Sequence, residues 1–232
     1  MTDKLVFAVP SKGRMMEQTT AALLACGLEL RKVGSERGYR GEIEGFPNID
    51  VAYVSASEIA QFLKAGQIHL GITGEDLVRE AMINADERVS FLKRLGYGHA
   101  DVVVAVPACW IDVRHMSDLE EMAVAFRRVH GRRLRVATKF TNLTRQFFAH
   151  KGVSSYRIVE SLGATEGTPA SGTSDLIVDI TSSGATLRAN GLKVLDDGLI
   201  LKSEANLIAS KAAEWSPAAR EAENEIMARL GA

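Results

Sequence analysis

The chain has 232 residues, 46% of them hydrophobic and 25% charged, with 28 lysines and arginines against 29 acidic residues. A net charge of −1 excludes a general nucleic-acid binder, which needs a basic surface, but not a phosphate-rich small substrate held by a few cations and backbone amides. No run approaches the roughly eighteen apolar residues that span a bilayer, and residues 1–10 lack the basic start and apolar run of an export signal, so a cytoplasmic protein with no membrane partner is expected.

In chain order, residues 5–9 read as an apolar strand and 12–26 as a helix closed by Gly27. A strand over 51–54, a helix over 57–65 ending at Gly66, a strand over 68–73, a helix over 75–82 and a strand over 89–95 continue the alternation. Beyond Gly96, a buried-strand run over 100–106 stops at Pro107. A helix over 119–129, a strand over 134–138, a helix over 143–150 and strands over 156–160 and 175–180 follow. A short helix over 186–190 stops at Gly191; an apolar run over 199–208 and a terminal helix over 217–230 complete the chain. Cys26 and Cys109 lie in apolar stretches without a partner at metal-ligand spacing, and are expected as buried free thiols. This rhythm predicts an α/β protein with a mainly parallel sheet covered on both faces. Ligands of such proteins bind beyond the carboxyl ends of the strands or between lobes.

The segment richest in chemistry is Asp175-Leu-Ile-Val-Asp-Ile-Thr-Ser-Ser-Gly-Ala-Thr-Leu187. An apolar strand delivers the carboxylate of Asp179, a loop of small hydroxyl residues and glycine follows, and a helix begins. Backbone amides of such a loop converge on one concavity, and the helix start adds partial positive charge. Gly184 allows a backbone conformation closed to other residues and close approach of a phosphate. Ser182, Ser183 and Thr186 can each donate a hydroxyl hydrogen bond, and Asp179 can accept from ribose hydroxyls. The Gly-Lys-Ser/Thr of a Walker loop is not present. The loop resembles the one with which phosphoribosyltransferases hold the 5-phosphate of phosphoribosyl pyrophosphate.

Six segments in register carry a more specific resemblance: residues 178–190, Ala8-Val-Pro-Ser-Lys-Gly-Arg14, Gly71-Ile-Thr-Gly-Glu-Asp76, Gly96-Tyr-Gly-His99 with Val104-Ala-Val-Pro107, Ala137-Thr-Lys-Phe140 and Glu166-Gly-Thr-Pro169. Together they are similar to the ATP phosphoribosyltransferases, in the short form without a C-terminal regulatory domain. The resemblance implies a two-lobed periplasmic-binding-protein-like (type II) fold with a discontinuous first lobe, residues 1–94 with 194–232, and a second lobe of 95–193. It implies transfer of the phosphoribosyl group to ATP with release of pyrophosphate, the first step of histidine biosynthesis, with Mg²⁺ carried mainly by substrate phosphates. Its implied partners are a second copy of the chain and a regulatory subunit resembling histidyl-tRNA synthetase.

On matching positions the resemblance places phosphoribosyl pyrophosphate against Glu166, Asp179, Thr181, Ser182, Ser183, Gly184, Ala185, Thr186 and Leu187. ATP or leaving-group phosphates are expected at Lys12, Gly13, Arg14, Arg37, Gly74, Glu75 and Lys139, with Asp179 and Lys12 as the catalytic pair. The chain departs from the family at Ser55, where many short forms carry a phosphate-contacting arginine; Arg37 and Arg40 are candidate replacements. The expected reaction is displacement at ribose C1 by adenine N1, in which the protein aligns reactants and stabilises leaving-group charge. Bland roles compete at several positions: Glu75 and Asp76 suit a helix N-terminus, the arginines between 127 and 135 suit a solvated helix end, and the histidines form no metal motif. The alternative function is a solute-binding or nucleotide-sensing protein without catalysis, which needs no phosphate cradle.

Overall fold

The computed structural model describes residues 4–34 and 39–231. The chain divides into two units, Met1–His99 with Glu204–Ala232, and Ala100–Ser203.

Unit 1 is built on a sheet of β1 (Leu5–Pro10), β2 (Leu30–Lys32), β3 (Arg40–Ile43), β4 (Phe46–Val54), β5 (Leu70–Gly74), β6 (Val89–Arg94) and β12 (Ala205–Ser210), in the order β2-β3-β4-β1-β5-β12-β6. Strand β1 shows why both faces are covered. Leu5, Phe7 and Val9 join one apolar cluster and Ala8 the other, because successive side chains point to opposite faces. The first cluster takes Leu23 from α1 (Gly13–Ala25) and Ala219, Ala222, Ile226 and Leu230 from α8 (Pro217–Leu230). The second takes Ile59, Ala60 and Leu63 from α2 (Ala56–Ala65), Val78 from α3 (Glu75–Ala81) and Ala85 from α4 (Ala85–Arg88). Helix α8 is bounded at both ends: Ser216 accepts from the Ala219 amide, Pro217 opens the helix, and Lys93 donates to the carbonyls of Leu230 and Gly231. His69 is structural. Its Nδ1 accepts from the Val6 amide, which leaves Nε2 to donate to the Glu214 carbonyl.

Unit 2 orders its strands β11-β7-β10-β8-β9, with β7 (Asp101–Pro107), β8 (Leu134–Thr138), β9 (Tyr156–Glu160), β10 (Leu176–Thr181) and β11 (Leu192–Leu201). Helices α5 (Met116–His130), α6 (Thr141–His150) and α7 (Ala185–Ala189), with one 3-10 turn at Thr165–Gly167, complete it. Leu119, Ala123 and Phe148 are fully enclosed. No described helix is long and apolar enough to cross a membrane.

The structure departs from expectation in several places. The sheets are mixed rather than mainly parallel: β1 runs parallel to β4 and β5, and β8 parallel to β9 and β10, but β12 is antiparallel to β5 and β6, and β7 to β10 and β11. The apolar run over 199–208 is two strands of different sheets, broken at 202–204 where the chain passes between units. Strand β11 therefore keeps its pairing with β7 past the expected boundary at 193/194, and the chain returns to unit 1 only after Ser203. Strands β2 and β3 were not anticipated; their polar sequences Leu-Arg-Lys and Arg-Gly-Glu-Ile carry little apolar alternation. Cys26 is half-buried and Cys109 exposed, the latter because it lies in the turn after Pro107 instead of in β7.

The arginine-rich stretch after α5 is in part a structural clamp. Arg132 Nη1 and Nη2 reach Asp175 at 2.6 and 3.0 Å, Arg135 Nη2 reaches it at 3.1 Å, and the Arg135 amide donates to it at 2.8 Å. Burial pushes the Asp175 carboxyl upward, but these hydrogen bonds and the guanidinium charge outweigh it and hold the group well below the usual carboxylate range. A depressed folded-state value stabilises the fold above the unfolded value near 4 and loses that contribution as pH falls toward the folded value. Asp175→Asn is therefore expected to lower urea-measured stability by about 2 kcal/mol at pH 7. The difference from wild type should shrink steadily below about pH 4; a deficit unchanged down to pH 2 would rule the clamp out as its source.

Candidate active site

Chemistry collects at strand ends in each unit. In unit 1, β1 and β4 run side by side to the pair Pro10–Val54, and parallel β5 ends at Gly74. A helix begins directly after each strand: α1 at Gly13, α2 at Ala56 and α3 at Glu75. Helix starts present amides without intrahelical acceptors and a partial positive charge. The three starts are treated differently.

At α2, Ser55 closes the helix with its own side chain. Its Oγ accepts from the Glu58 amide at 3.3 Å, and the Glu58 carboxylate accepts from the Ser55 amide at 2.9 Å, a reciprocal capping box. The Ser55 hydroxyl and amide hold Glu58 below its ordinary value, with a smaller contribution from the Lys12 charge. The expected arginine position is thus a helix cap here.

At α1, Lys12 occupies the N-cap position with no side-chain cap, and the first turn holds no acid. Lys12, Gly13 and Arg14 are all exposed, and Gly13 has φ 71°. Two cations at a helix start oppose the helix dipole, an arrangement that a bound anion relieves.

At α3, Gly74 and Glu75 are buried. The Glu75 carboxylate lies 2.7 Å from Arg79 Nε and 3.8 Å from Arg94, and its amide donates to the Glu204 carbonyl at 3.1 Å. Glu75, expected among the phosphate-binding residues, has its carboxylate in an ion pair with Arg79 and its amide committed to Glu204. Arg40 is exposed at the start of β3, opposite Ala52. Arg37 lies outside the described residues.

In unit 2 the parallel strands β8, β9 and β10 end on the same edge. Beyond β8 stands Lys139, exposed and 5.0 Å over the Phe140 ring. Near the end of β10 stands Asp179, partly buried, whose carboxylate accepts from the Ile180 amide at 2.8 Å. Thr165, which is 3% exposed, donates a side-chain hydrogen bond to Asp179. The preceding residue, Ala164, is the one non-glycine residue with positive φ (49°) among those described. That backbone carries Glu166 within electrostatic reach of Asp179. Burial raises the Asp179 carboxyl above its ordinary value; the Ile180 amide, Lys139 and Thr165 pull it down, while Glu166 pushes it further up.

The loop after Asp179 turns through a left-handed glycine, and two of its amides bond to hydroxyls of the loop itself. Gly184 has φ 70° and ψ 2°, and its amide donates to Thr181 Oγ1 at 2.7 Å. The Ala185 amide donates to Ser183 Oγ at 3.3 Å. Ser182, Ser183 and Thr186 are exposed. The Leu187 side chain instead packs with Val103, Ala105, Ala137, Ile177 and Leu192, so only its backbone faces the loop. Two residues went unnoticed in the sequence. Arg188 folds back to donate to the Ser183 carbonyl at 3.1 Å, and its Nη1 lies 2.8 Å from where a Cβ on Gly184 would stand. Thr165 was overlooked although it directly precedes the Glu166 segment. The expected residues thus form two groups: Lys12, Gly13, Arg14 and Gly74 in unit 1, and Lys139, Glu166 and Asp179–Leu187 in unit 2.

The family profile for ATP phosphoribosyltransferase matches residues 55–232. The chain belongs to the ATP phosphoribosyltransferase family. A relative named ATP phosphoribosyltransferase from Bradyrhizobium diazoefficiens is 59% identical over 232 residues, all of this chain and 71% of the relative. One from Rhodopseudomonas palustris is 60% identical over the same span of this chain and 71% of its own length. Among solved structures, the ATP phosphoribosyl transferase (HisG:HisZ) complex from Thermotoga maritima superposes with a TM-score of 0.73 at 25% identity, over 98% of this chain and 96% of that one. The periplasmic aliphatic sulphonate binding protein SsuA of Escherichia coli, at 15% identity and a TM-score of 0.53 over 98% of this chain and 71% of its own, shares the fold alone. The fold is accordingly that of type II periplasmic-binding-protein-like proteins. As an ATP phosphoribosyltransferase the chain is a pentosyltransferase, joining ATP to 5-phosphoribosyl 1-pyrophosphate in the first step of histidine biosynthesis.

The raised Asp179 carboxyl sets a test that separates function from stability. A raised folded-state value favours the protonated form, so its contribution to stability is full below the unfolded value and is lost as pH rises through the folded one. Asp179→Asn is expected to leave the melting temperature equal or higher at pH 7, with the gain vanishing below about pH 4, while the KM for phosphoribosyl pyrophosphate rises. A variant less stable at pH 7 than at pH 4, relative to wild type, contradicts this account.

Proposed function

We propose that the ATP phosphoribosyltransferase reaction of this chain uses the Asp179–Leu187 segment to hold the phosphoribosyl donor. The single observation that carries the reading is the loop itself: a left-handed Gly184 turns the chain into the short helix α7 directly after a half-buried carboxylate. The amides of Thr186 and Leu187 in the first turn of α7 meet the 5-phosphate, with hydroxyls from Ser182, Ser183 and Thr186. Asp179 accepts from the ribose hydroxyls, and Glu166 accepts from a second one or from the hydration shell of the metal. Lys139 offers its charge to ATP phosphates. In unit 1 the uncapped start of α1, with Lys12 and Arg14, takes pyrophosphate or triphosphate oxygens.

The chemical step is displacement at ribose C1 by adenine N1: the N1–C1 bond forms as the C1–O bond to pyrophosphate breaks. Nothing on the protein is covalently changed; its work is alignment and stabilisation of leaving-group charge. No group of three or more potential metal ligands occurs among the described residues. Asp179 and Glu166, two oxygen donors within electrostatic reach of each other, suit a Mg²⁺ that keeps water and substrate phosphates as its other ligands. Bound there, the ion neutralises phosphate charge.

The assembly belongs to the same proposal. We assign the chain to the short-form class and infer a cytoplasmic homodimer that joins a regulatory subunit resembling histidyl-tRNA synthetase. The support is the Thermotoga maritima neighbour, which is a HisG:HisZ complex.

Formation of phosphoribosyl-ATP, followed by ultraviolet absorbance with and without the candidate subunit, tests the reaction. Binding of ATP with no product in either condition would point to a nucleotide sensor. Gly184→Val places a β-branched residue at φ 70°, costing about 1–2 kcal/mol of local strain, and Thr186→Val removes one donor. Both are expected to raise the KM for phosphoribosyl pyrophosphate at least tenfold, or about 1.4 kcal/mol, with little change in the KM for ATP. Unaltered kinetics in both variants would remove the loop from the mechanism.

A further inference from the structure

The cationic start of α1 is placed by an unusual route. Of the helix's thirteen residues only Thr19 and Leu23 are fully buried, and Leu23 near the C-terminal end is the one that enters the apolar cluster. At about 1.5 Å per residue, Lys12 lies roughly 16 Å along the helix from that anchor, so a small tilt there displaces the cations appreciably. Between that anchor and Lys12, α1 meets the segment Gly96–Gly98, by which the chain prepares to leave unit 1. The Tyr97 hydroxyl donates to Thr19 Oγ1 at 2.9 Å, and Thr19 is fully buried. One turn earlier on the same face, Met15 Cε and Sδ stand 2.8 and 3.1 Å from where a Cβ on Gly98 would lie. Gly98 also has φ 68°, so this position excludes side chains on two counts. The segment is itself fixed from the other side, since the Ala205 amide donates to the Tyr97 carbonyl at 2.9 Å and the Gly96 amide to Glu204 Oε2 at 2.9 Å. Threonine is a poor helix former, and a buried hydroxyl on the packed face of α1 is stable there because it is hydrogen-bonded.

We propose that Tyr97 is a positioning residue for the transferase reaction, holding α1 through Thr19 so that Lys12 and Arg14 meet the substrate phosphates. It touches no substrate. The tether links the outgoing crossover to the phosphate-binding turn, so the placement of the cations follows the segment that joins the two units. The inference rests on the reading that the first turn of α1 binds phosphate.

Steady-state kinetics of Tyr97→Phe, Thr19→Val, Thr19→Ser, the Tyr97→Phe/Thr19→Val pair and Lys12→Ala decide it, with the melting temperature of each variant measured alongside. Lys12→Ala identifies which substrate's KM depends on the turn. Tyr97→Phe and Thr19→Val are each expected to raise that same KM about three- to tenfold, the range of one hydrogen bond, with kcat within about twofold. The pair should be no worse than either single variant, because both remove one interaction, and Thr19→Ser should recover wild-type KM. Lowered melting temperatures with both KM values unchanged would reduce Tyr97 to a structural role and overturn the inference while leaving the phosphate reading intact. Should Lys12→Ala alter neither KM, the phosphate reading itself fails. Thr19→Val is decisive alone if Tyr97→Phe does not fold.

Discussion

Unit 2 carries a carboxylate whose charged form the fold disfavours. Asp179 is drawn into partial burial near the end of β10, and the groups around it only partly offset the loss of water: an amide, a hydroxyl and the charge of Lys139 on one side, the repulsion of Glu166 on the other. Forty residues earlier in the chain, Lys139 owes its place to the parallel pairing of β8 with β10, and Glu166 owes its place to a 3-10 turn entered through a left-handed Ala164. Both features are costly choices locally. A non-glycine residue at positive φ and an under-compensated carboxylate are the kinds of strain that persist where ligand binding uses them. Under the proposed function, hydroxyls of the sugar donor and a metal ion near the carboxylate would complete the charge balance that folding alone leaves open.

The contrast with Asp175 makes the point without appeal to any ligand. The two aspartates are four residues apart, one just before β10 and one within it. Asp175 is also partly buried, yet two guanidinium groups and an amide bring it far below its ordinary value. That site is closed: every partner comes from the chain. Among the described residues no guanidinium stands with the groups that chiefly offset the burial of Asp179, and Glu166 pushes its carboxyl further up. One chain segment therefore carries a carboxylate paired with guanidinium groups just before β10 and an under-compensated one near the strand's end, where parallel strands present their carboxyl termini.

The parts of this arrangement that were legible in the sequence are those governed by local rules. Strands 134–138 and 156–160 and the helix 217–230 coincide with β8, β9 and α8, because each is a bounded apolar pattern with clear stops. The αL conformation of Gly184 was legible for the same reason: a glycine between a strand and a helix has few other uses. What could not be read is what distant segments decide. The break of 199–208 into two strands of different sheets leaves no mark in hydropathy, since both halves are apolar. The antiparallel course of β7 and β12 follows from the chain changing units. Glu75 looked like a helix-start acid near a phosphate; its true partners, Arg79 and Arg94, are supplied partly by a strand nineteen residues on. Arg188 lay inside a segment already singled out and Thr165 directly before one, but nothing in their spacing shows that one folds back over the loop and the other reaches Asp179.

Ser55 shows how a departure from a family pattern is absorbed. In place of an arginine, which would add a cation beside the end of β4, the chain has a residue whose hydroxyl and amide are both spent on Glu58. The start of α2 is thereby satisfied from within and presents less unmet positive potential to a ligand. Glu58 adds a negative charge that Lys12 feels across the same strand ends. Both effects disfavour an anion at α2, and in the proposed function that task in unit 1 falls to α1, whose start has no side-chain cap, no acid in its first turn and two cations. The accuracy with which α1 is placed then matters more than it would with a second cationic strand end to share the charge. A helix anchored in the core near its far end, tied at its middle by the Tyr97 hydroxyl and met by Gly98 at Met15, is a consistent solution to that demand.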